Sequence, residues 1–216
     1  MMRVISVNVG GVKSYEYNGR KVETGIYKFP VEGRVRVGRL RVEGDGQADL
    51  ENHGGEHRAV YIYPHEHYAR WRRELGREGF DLGQFGENLT TEGLLEDDIC
   101  IGDTLRAGPE VVLQVSQPRP PCYKMAMRIG EPRFPKLMSE ACLVGFYCRV
   151  LGEGRIGAGD AIEIAGRDPA GLSVRGAYHL RFFGKEDREG AGRAAQIEAL
   201  EPGWREVFRK RAAAAR

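Results

Sequence analysis

Short β-like segments separated by glycine-rich turns recur along the first three quarters of this chain, and they limit the folds open to it. The sequence contains 30 glycines. Repeated short strands between such turns are typical of a β-barrel or a β-sandwich. We therefore expect a mainly β domain. Its strands are predicted at Val4 to Val9, Val35 to Val42, Ala59 to Tyr63, Val111 to Ser116, Phe146 to Leu151 and Ala161 to Ile164.

Two helices are predicted to interrupt these strands. The first begins at Pro64, because proline is favoured in the first helical turn, and continues through Leu75 to the stop signals Gly76 and Gly79. A second, shorter helix is predicted from Tyr123 to Ile129. The chain is therefore expected to combine many strands with a few helices.

The composition changes after Ile164, and the segment Asp168-Pro169-Ala170-Gly171 is typical of a domain boundary. Three short helices are predicted beyond it, at 174–183, 188–200 and 202–214. Because they are too small to hold a large core alone, we expect them to pack on the β domain or on another subunit, as in a homodimer. The sequence thus predicts a β domain at 1–167 and a three-helix C-terminal domain at 168–216.

Size and composition indicate a globular protein of ordinary size. With 216 residues, 41% of them hydrophobic and 30% charged, the chain can bury a core without help from disulfides. Basic and acidic side chains nearly cancel, which leaves a net charge of +2. Because a charge so close to zero gives no overall field for a polyanion, a nucleic acid polymer is not an expected partner.

The sequence also favours a cytoplasmic location. The stretch from Met1 to Gly10 alternates like a strand and lacks a small-residue cleavage site, so no signal peptide is expected. No apolar run is long enough to span a bilayer, and no membrane partner is expected. The four cysteines form no CxxC pair, which points to reduced thiols.

One thiol lies in a stiff and cationic setting. Cys122 follows three prolines in the segment 116–124 and stands between Arg119 and Lys124. Since proline fixes its own φ angle and restricts the residue before it, this turn is largely pre-shaped. The two cations favour the thiolate, which attacks electrophiles and binds soft metals. Cys122 is therefore a candidate nucleophile or metal ligand, and the alternative is a buried, unreactive cysteine.

The segment 49–60 carries a second candidate site. His53, Glu56 and His57 match the H-x-x-E-H pattern, which on a helix places two zinc ligands one turn apart. Two glycines lie inside that turn and would cost about 2 kcal/mol of helix propensity, which weakens the zinc interpretation. A glycine turn followed by His57 and Arg58 is better suited to binding an anion, and an ordinary tight turn before a strand is the alternative.

A third segment runs from Phe85 to Leu89. In it, the carboxylate of Glu87 and the amide of Asn88 directly follow a glycine turn. The side chain of Asn88 offers a paired donor and acceptor that suit a heterocycle, or it simply caps the turn. This segment alone decides little.

Taken together, these segments resemble the MOSC family, which is named for the C-terminal domain of molybdenum-cofactor sulfurase, and in particular its YiiM-type branch. Each motif is weak alone, but their order and spacing are specific in combination, and the resemblance covers most of the chain. It is carried by Glu43-Gly44-Asp45 with Gln47-Ala48, His53-Gly54-Gly55 with Arg58-Ala59, Tyr63-Pro64 with Glu66-His67-Tyr68, Phe85 to Leu89, and Val115 to Arg119 with Pro121 to Lys124.

The resemblance implies a MOSC-type β-barrel with a few helices, followed by the small three-helix domain. It also implies a molybdenum cofactor (molybdopterin), with Cys122 as the protein ligand to the metal, and a soft thiolate suits that role. The phosphate and the polar pterin of the cofactor require partners. The residues assigned to them are His53, His57, Arg58, Glu87, Asn88, Arg119 and Lys124.

YiiM-type proteins are associated with reduction of N-hydroxylated bases, so the resemblance implies a molybdenum-dependent reductase of N-hydroxylated compounds such as N-hydroxylaminopurines. Its catalytic candidates are Cys122, His53, His57 and Lys124, and the proton donor is one of the last three. The chain carries no dinucleotide, flavin, haem or iron–sulfur signature. Electrons are therefore expected from a separate flavin-containing NAD(P)H-dependent reductase.

Two alternatives remain open at the level of sequence. A molybdopterin or sulfur carrier would hold cofactor or activated sulfur on Cys122 without any reductase activity of its own. A zinc hydrolase would use His53 and His57. Elemental analysis distinguishes these proteins, because molybdenum, labile sulfur and zinc give different results.

Overall fold

A mixed sheet of eight strands forms the centre of the protein, whose computed structural model describes residues 1–50 and 54–214. The strands are, in chain order, β1 (Arg3–Val9), β2 (Lys13–Tyr17), β3 (Arg20–Thr24), β4 (Phe29–Pro30), β5 (Val35–Val37), β6 (Val60–Pro64), β7 (Leu89–Glu92), β8 (Thr104–Ala107), β9 (Val111–Pro118), β10 (Phe146–Gly152), β11 (Gly154–Ile156) and β12 (Ile162–Gly166). The central sheet has the order β12-β8-β9-β10-β6-β7-β1-β4.

Two smaller sheets lie beside the central one. Strands β5 and β11 form the first, and the hairpin of β2 and β3 forms the second. Asn18 and Gly19 make the hairpin turn with φ angles of 51° and 71°. An Asn-Gly pair tolerates this left-handed geometry better than other residues, so the hairpin is specified locally.

The helices are α1 (Glu66–Leu75), α2 (Tyr123–Ile129), α3 (Phe134–Ala141), α4 (Val174–Phe182), α5 (Arg188–Ala194) and α6 (Pro202–Ala213). Helix α1 connects β6 to β7, which explains why these two strands are parallel while the other pairs in the sheet are antiparallel. It ends where Gly76 adopts a φ of 60°, as the glycine predicts. Helix α2 has the predicted bounds.

The description as mainly β does not hold for the whole chain. Helices and strands occupy about equal numbers of residues, so the prediction of a mainly β chain applies only to the region of the central sheet. The sequence analysis does not predict helix α3, although the proline in its first turn is a favourable start signal. The strand predicted from Val35 to Val42 stops at Val37, where a tight turn returns the chain to an isolated bridge between Val37 and Val42.

The central sheet is not a closed barrel in the described residues. Strands β12 and β4 are its two edges. An isolated bridge between Arg3 and Ala161 and a hydrogen bond of 2.9 Å from the Val4 N–H to the Asp160 carbonyl link β1 to the chain entering β12. The two ends of the sheet are thus brought close by a few contacts, and the barrel stays a prediction.

The C-terminal helices share a core with the sheet. Tyr178 on α4 and Trp204 and Phe208 on α6 are buried in the same apolar cluster as Val60 and Val115 from the strands. The division into domains at 1–167 and 168–216 stays a prediction. Within the described residues, no helix is both long and apolar enough to cross a membrane.

A second apolar cluster supports the region around the proline turn. It contains Trp71 and Phe85 together with Met125 and Phe134 from α2 and α3. The Arg119 N–H donates to the Gly145 carbonyl at 3.2 Å, which ties the turn after β9 to the chain entering β10. The end of β9 and the start of α2 are therefore held in fixed positions by packing on both sides.

Candidate functional site

A small cleft of about 70 Å³ opens where β9 leaves the sheet and α2 begins. It collects side chains from distant parts of the sequence. Five of the residues predicted from sequence line it, namely Arg58, Asn88, Arg119, Cys122 and Lys124. Further polar and aromatic residues also line it, namely Lys28, Asp45, Gln47, Tyr61 and Tyr147. Asp45 and Gln47 belong to the motifs that carry the family resemblance, but the sequence analysis assigns a site role to none of these five.

Arg119 is the most unusual side chain of the cleft. Only 5% of the residue is exposed, yet its Nε and Nη1 atoms have no hydrogen-bond partner among the described residues. The guanidinium carbon lies 5.0 Å from the ring centroid of Tyr61. Burial opposes the charge on Arg119, but Tyr61 and Tyr147 act in the opposite direction and the net pKa is raised. A charged, buried guanidinium with spare donors is suited to an anion.

Cys122 is the N-cap residue of α2 and directly follows the proline turn. Its backbone is extended, with φ −119° and ψ 172°, and its carbonyl accepts a hydrogen bond of 2.9 Å from the Met125 N–H. The residue is partly exposed, whereas Cys142 and Cys148 are buried. Burial also raises the pKa of the Cys148 thiol. The structure therefore distinguishes two partly exposed thiols, Cys100 and Cys122, from two buried cysteines, and of these four Cys122 is the one that lines the cleft.

A buried ion pair forms the floor of the cleft. Nζ of Lys28 contacts Oδ1 of Asp45, and both side chains are almost fully buried. Asp45 also accepts hydrogen bonds from the Gly10 N–H at 3.1 Å and from Nδ2 of Asn88 at 3.0 Å. Burial lowers the pKa of Lys28, against the opposing effect of Asp45. These contacts anchor the loop around Asp45.

Gly25 and Gly46 allow the two chain segments beside the Lys28–Asp45 pair to approach each other. A Cβ atom on Gly25 would lie 2.0 Å from the carbonyl oxygen of Gly46. Because Cβ atoms do not approach other atoms so closely, only glycine fits at position 25. This contact brings the chain after β3 against the loop that carries Asp45.

Arg58 and Lys124 add two cations at the sides of the cleft. Arg58 Nη2 donates to Oε1 of Glu201 at 3.2 Å, and its Nη1 donates to the Gly54 carbonyl at 3.4 Å. Nζ of Lys124 donates to the Glu23 carbonyl at 3.2 Å. Together with Lys28 and Arg119 these side chains give the lining of the cleft four cations against two carboxylates, Asp45 and Asp49, so the cleft carries a net positive charge.

Asn88 lines the cleft, but protein groups already engage its amide. Its Oδ1 accepts from the Tyr61 N–H at 3.0 Å, and its Nδ2 donates to Asp45 and, at 3.4 Å, to the Asn8 carbonyl. This network holds Tyr61 and Asp45 in place. The geometry therefore favours the interpretation in which Asn88 organises the turn over the one in which it contacts a heterocycle.

The structure does not bring Glu87 to the cleft. Its carboxylate is fully buried and accepts hydrogen bonds from the Tyr68 and Thr90 hydroxyls and from the Gly83 and Phe85 N–H groups. Burial raises the pKa of Glu87, and these donors act against that shift. Glu87 thus fixes the glycine turn behind the cleft.

His57 is also absent from the cleft wall. It belongs to a 3₁₀ helix, Glu56–Arg58, and its Nδ1 atom is buried without a hydrogen-bond partner in the part of the chain that the structure describes. Burial lowers the pKa of His57, and Arg149 lowers it further. The other histidine of this motif, His53, lies outside the described residues.

The zinc alternative requires an α-helix over the same segment. Instead, Gly55 has a φ of 89° and the three residues after it form a single 3₁₀ turn. No group of three or more His, Cys, Asp or Glu side chains able to hold a metal ion occurs in residues 1–50 and 54–214. The structure gives the zinc interpretation no support.

The fold and this cleft can be compared with known proteins. The family model described as "MOSC domain" matches residues 49–163.

The chain belongs to the MOSC domain family. The matched region includes Arg58, Arg119, Cys122 and Lys124, whereas Lys28 and Asp45 lie before it although they line the same cleft. The MOSC protein therefore completes its cleft with residues from outside the matched range.

Individual relatives agree with this assignment. The crystal structure of YiiM from Geobacillus stearothermophilus superposes with a TM-score of 0.83 at 38% identity and covers 99% of this chain and 100% of that one. The protein YflK of Bacillus subtilis is 42% identical over 208 residues, 96% of this chain and 93% of YflK. A protein of Gibberella moniliformis called "Reductase" is 37% identical over 166 residues, 76% of this chain and 29% of that protein. The chain is a YiiM-like MOSC protein.

The residues of the cleft suit the cofactor after which the family is named. A thiol can bind molybdenum as a soft ligand. The spare donors of Arg119, with Arg58 and Lys124, match the anionic charge of a phosphate. At about 70 Å³ the cleft can enclose an anionic group but not a whole pterin, so part of such a cofactor would lie at the open mouth.

Proposed function

We propose that this MOSC protein uses a molybdenum cofactor to reduce N-hydroxylated compounds, such as N-hydroxylaminopurines, to the corresponding amines. One observation carries the proposal. The thiol of Cys122 opens into the same cleft as a buried guanidinium, that of Arg119, whose Nε and Nη1 atoms have no partner among the described residues. A soft metal ligand beside an anion site is the arrangement that an anionic metal cofactor requires.

The name of one relative supports a redox role. A segment similar to 76% of this chain lies within the much longer Gibberella protein called "Reductase". There, a domain of this type is part of a larger polypeptide that carries the name of a redox enzyme. We propose that the present chain obtains its electrons from a separate flavin-containing NAD(P)H-dependent reductase.

The roles of the cleft residues follow from their chemistry. Cys122 is the proposed protein ligand to molybdenum, and Arg119 is the proposed partner of the cofactor's anionic group. Arg58 and Lys124 add positive charge at the sides of the cleft. When bound, the cofactor supplies the two-electron redox chemistry.

The reaction breaks the N–O bond of the substrate. Two electrons and two protons convert R–NH–OH into R–NH2 and water. Of the three proton donors considered from sequence, Lys124 is the one that lines the cleft among the described residues. Lys124 is therefore the proposed donor, with Nζ as the atom that releases the proton.

The direct test is the metal content of protein made in a host that builds the cofactor. We expect about one molybdenum per chain, and turnover of an N-hydroxylated purine when a chemical reductant is added. Cys122→Ser replaces the soft ligand with a hard one of similar size. This variant should lose both molybdenum and turnover.

Cys100→Ser is the matched control, because Cys100 is also partly exposed but does not line the cleft. It should keep both molybdenum and turnover. A Cys122→Ser protein with normal molybdenum content and full turnover would falsify the assignment. Molybdenum or labile sulfur without turnover under any reductant would instead identify a carrier, and stoichiometric zinc would identify a hydrolase.

A further inference from the structure

A buried histidine–glutamate pair lies behind the cleft and has no role in the reaction proposed above. Nε2 of His67, on α1, lies 2.7 Å from Oε2 of Glu96, in the loop between β7 and β8. His67 is 7% exposed and Glu96 is fully buried. Neither side chain lines the cleft. Because burying ionisable groups costs free energy unless partners hold them, the other contacts of this pair are informative.

The second oxygen of Glu96 is connected to the cleft by hydrogen bonds. Its Oε1 accepts a hydrogen bond of 2.8 Å from the Gly145 N–H, and the Gly145 carbonyl accepts one of 3.2 Å from the Arg119 N–H. Three consecutive hydrogen bonds therefore join His67 to the backbone of the residue whose guanidinium has spare donors.

The segment 143–145 has little room to shift. Gly145 has a φ of 64°, and a Cβ atom there would lie 2.4 Å from the Ile62 carbonyl oxygen. Only glycine accepts both this angle and this contact, so the segment lies directly against β6. A carboxylate that holds the Gly145 N–H therefore fixes a backbone that is already closely packed.

The same segment also holds the ring on which the guanidinium packs. The Tyr61 hydroxyl donates to the Val144 carbonyl at 2.9 Å. The guanidinium carbon of Arg119 lies 5.0 Å from the centroid of the Tyr61 ring. The segment 143–145 is thus linked to both ends of Arg119, directly through its backbone N–H and indirectly through the ring beside its guanidinium.

We infer that Glu96 is a positioning residue for Arg119, because it fixes the segment that determines where the guanidinium stands in the cleft. His67 supports Glu96 by contacting its other carboxylate oxygen. The positioning itself rests only on these contacts. Its consequence for an anion rests on the proposed function, in which Arg119 is the partner of the cofactor's anionic group.

The test is the NMR signal of the Arg119 Nε–H group in the full chain without cofactor, assigned by its absence from Arg119→Met. A proton near an aromatic face is shifted by the ring current, so this signal reports the contact with Tyr61. Glu96→Leu removes both hydrogen bonds at similar volume and should move the signal toward that of a free arginine. Glu96→Gln keeps an acceptor for the Gly145 N–H and should restore the wild-type signal.

Binding of inorganic phosphate to the same proteins measures the consequence for an anion. Glu96→Leu should raise the Kd for phosphate about 10-fold, and Glu96→Gln should stay within about 3-fold of the wild type. A merely structural role of Glu96 would lower the stability of the leucine variant and leave both the Arg119 signal and the phosphate affinity unchanged.

Asp103→Leu is the matched control, because Asp103 is also a fully buried carboxylate but does not line the cleft. Its partners are the Cys100 and Asp168 N–H groups and the Arg167 guanidinium. This variant should lose stability and keep both the Arg119 signal and the phosphate affinity.

His67→Leu is the second variant, and it decides the question if Glu96→Leu does not fold. It removes only the far partner of Glu96, so it should move the Arg119 signal in the same direction by a smaller amount. The inference is overturned if the folded Glu96 and His67 variants keep the wild-type signal, or if Asp103→Leu moves the signal as far as Glu96→Leu does.

These outcomes are separate from a failure of the proposed function. A wild type that binds no phosphate, but whose Arg119 signal depends on Glu96, would retain the positioning and lose the anion site on which the proposed function rests. A wild type that binds phosphate, but whose Arg119 signal is independent of Glu96, would retain the anion site and lose the positioning.

Discussion

Arg119 illustrates how a single residue joins stability and function in this protein. The sequence indicates that it stands near Cys122, but not that it is buried with two nitrogen atoms that lack a hydrogen-bond partner among the described residues. Desolvating a charged donor without a hydrogen-bond partner costs free energy in the folded state. Such a cost is expected where a ligand later supplies the missing acceptor.

Arg119→Met should therefore change stability and binding in opposite directions. Methionine fills a similar volume without a charge, so in the protein without cofactor the free energy of unfolding should rise by about 1 kcal/mol. Retention of molybdenum should fall at least about 10-fold, since the anion loses its donors. Chemical unfolding and metal analysis of the same preparations measure the two effects.

Arg133→Met serves as the control, because the Arg133 side chain is 78% exposed and paired with Glu131. This variant should leave both the free energy of unfolding and the retention of molybdenum unchanged. If Arg119→Met instead lowers the stability of the cofactor-free protein, the guanidinium contributes to the fold more than to an anion site.

His57 gives a prediction about pH. Its pKa in the folded protein lies below the ordinary value of 6.5, chiefly because of burial and of Arg149. On acidification the unfolded chain therefore binds a proton at His57 before the folded chain does. The free energy of unfolding should fall as the pH drops from 6.5 through the lowered pKa. His57→Gln should lack this part of the acid sensitivity.

Thermal unfolding between about pH 7.5 and pH 5 measures this difference. His65→Gln is the control, because His65 is exposed at the start of α1, and it should follow the wild-type profile. Since His57 does not line the cleft, His57→Gln should also retain turnover. A large loss of turnover would restore His57 as a catalytic candidate.

At the scale of elements, the C-terminal helices begin at side-chain caps that the sequence carries. Ser173 accepts from the Gly176 N–H at 3.0 Å, and Glu201 accepts from the Trp204 N–H at 3.0 Å. Glu201 does more than cap α6, because its other oxygen accepts from Arg58 in the cleft. One carboxylate thus links the start of α6 to the candidate site.

Glu201→Ala should therefore destabilise the protein more than Ser173→Ala does. Loss of the Ser173 cap should cost about 1 kcal/mol. Glu201→Ala removes a cap and also the carboxylate that faces the partly buried Arg58, for a total of about 2–3 kcal/mol. Urea unfolding of the two variants gives the comparison, and equal losses would mean that the contact with Arg58 adds nothing to stability.

The elements also differ in how far local sequence determines them. Helix α2 has the predicted bounds because a proline turn precedes it and Gly130, with a φ of 72°, ends it. The sequence analysis does not predict the β2–β3 hairpin, because its strands are polar and mostly exposed and so lack an apolar strand pattern. Its Asn18-Gly19 turn, flanked by Tyr15, Tyr17 and Val22 in alternation, was the signal that could have identified it.

At the scale of the whole molecule, the sheet and the C-terminal helices share one apolar cluster. Trp204 is almost fully buried in it and packs edge-on against Phe208 with ring centroids 6.1 Å apart. Trp204→Ala should therefore cost about 3–5 kcal/mol. Because the cluster is continuous, we expect the variant to unfold in a single transition that includes the central sheet.

Calorimetry and near-UV circular dichroism measure the number of transitions. Phe183→Ala is the control, because this side chain is 47% exposed and should cost much less. If Trp204→Ala unfolds in two steps, with the sheet persisting after the helices melt, then residues 168–216 form a domain with separate stability. That result would support the division predicted from sequence.

The sequence by itself determined the local features of this protein. Proline and glycine fix backbone angles wherever they occur, so the turn before Cys122, the end of α1 and the bounds of α2 followed from short segments. The combination of motifs also identified the MOSC family, because their order along the chain can be compared directly. Of the cleft residues, Arg58, Asn88, Arg119, Cys122 and Lys124 were found in this way.

Only the tertiary structure decided which of these side chains meet. Burial and partnership depend on residues far apart in the chain, so no local pattern places Lys28 and Asp45 beneath Arg119 or removes His57 and Glu87 from the cleft. The closeness of Tyr17 to Tyr123 arises in the same way, because packing brings the hairpin onto the start of α2. Short-range angles are set by single residues, whereas the chemistry of a site is set by contacts between segments.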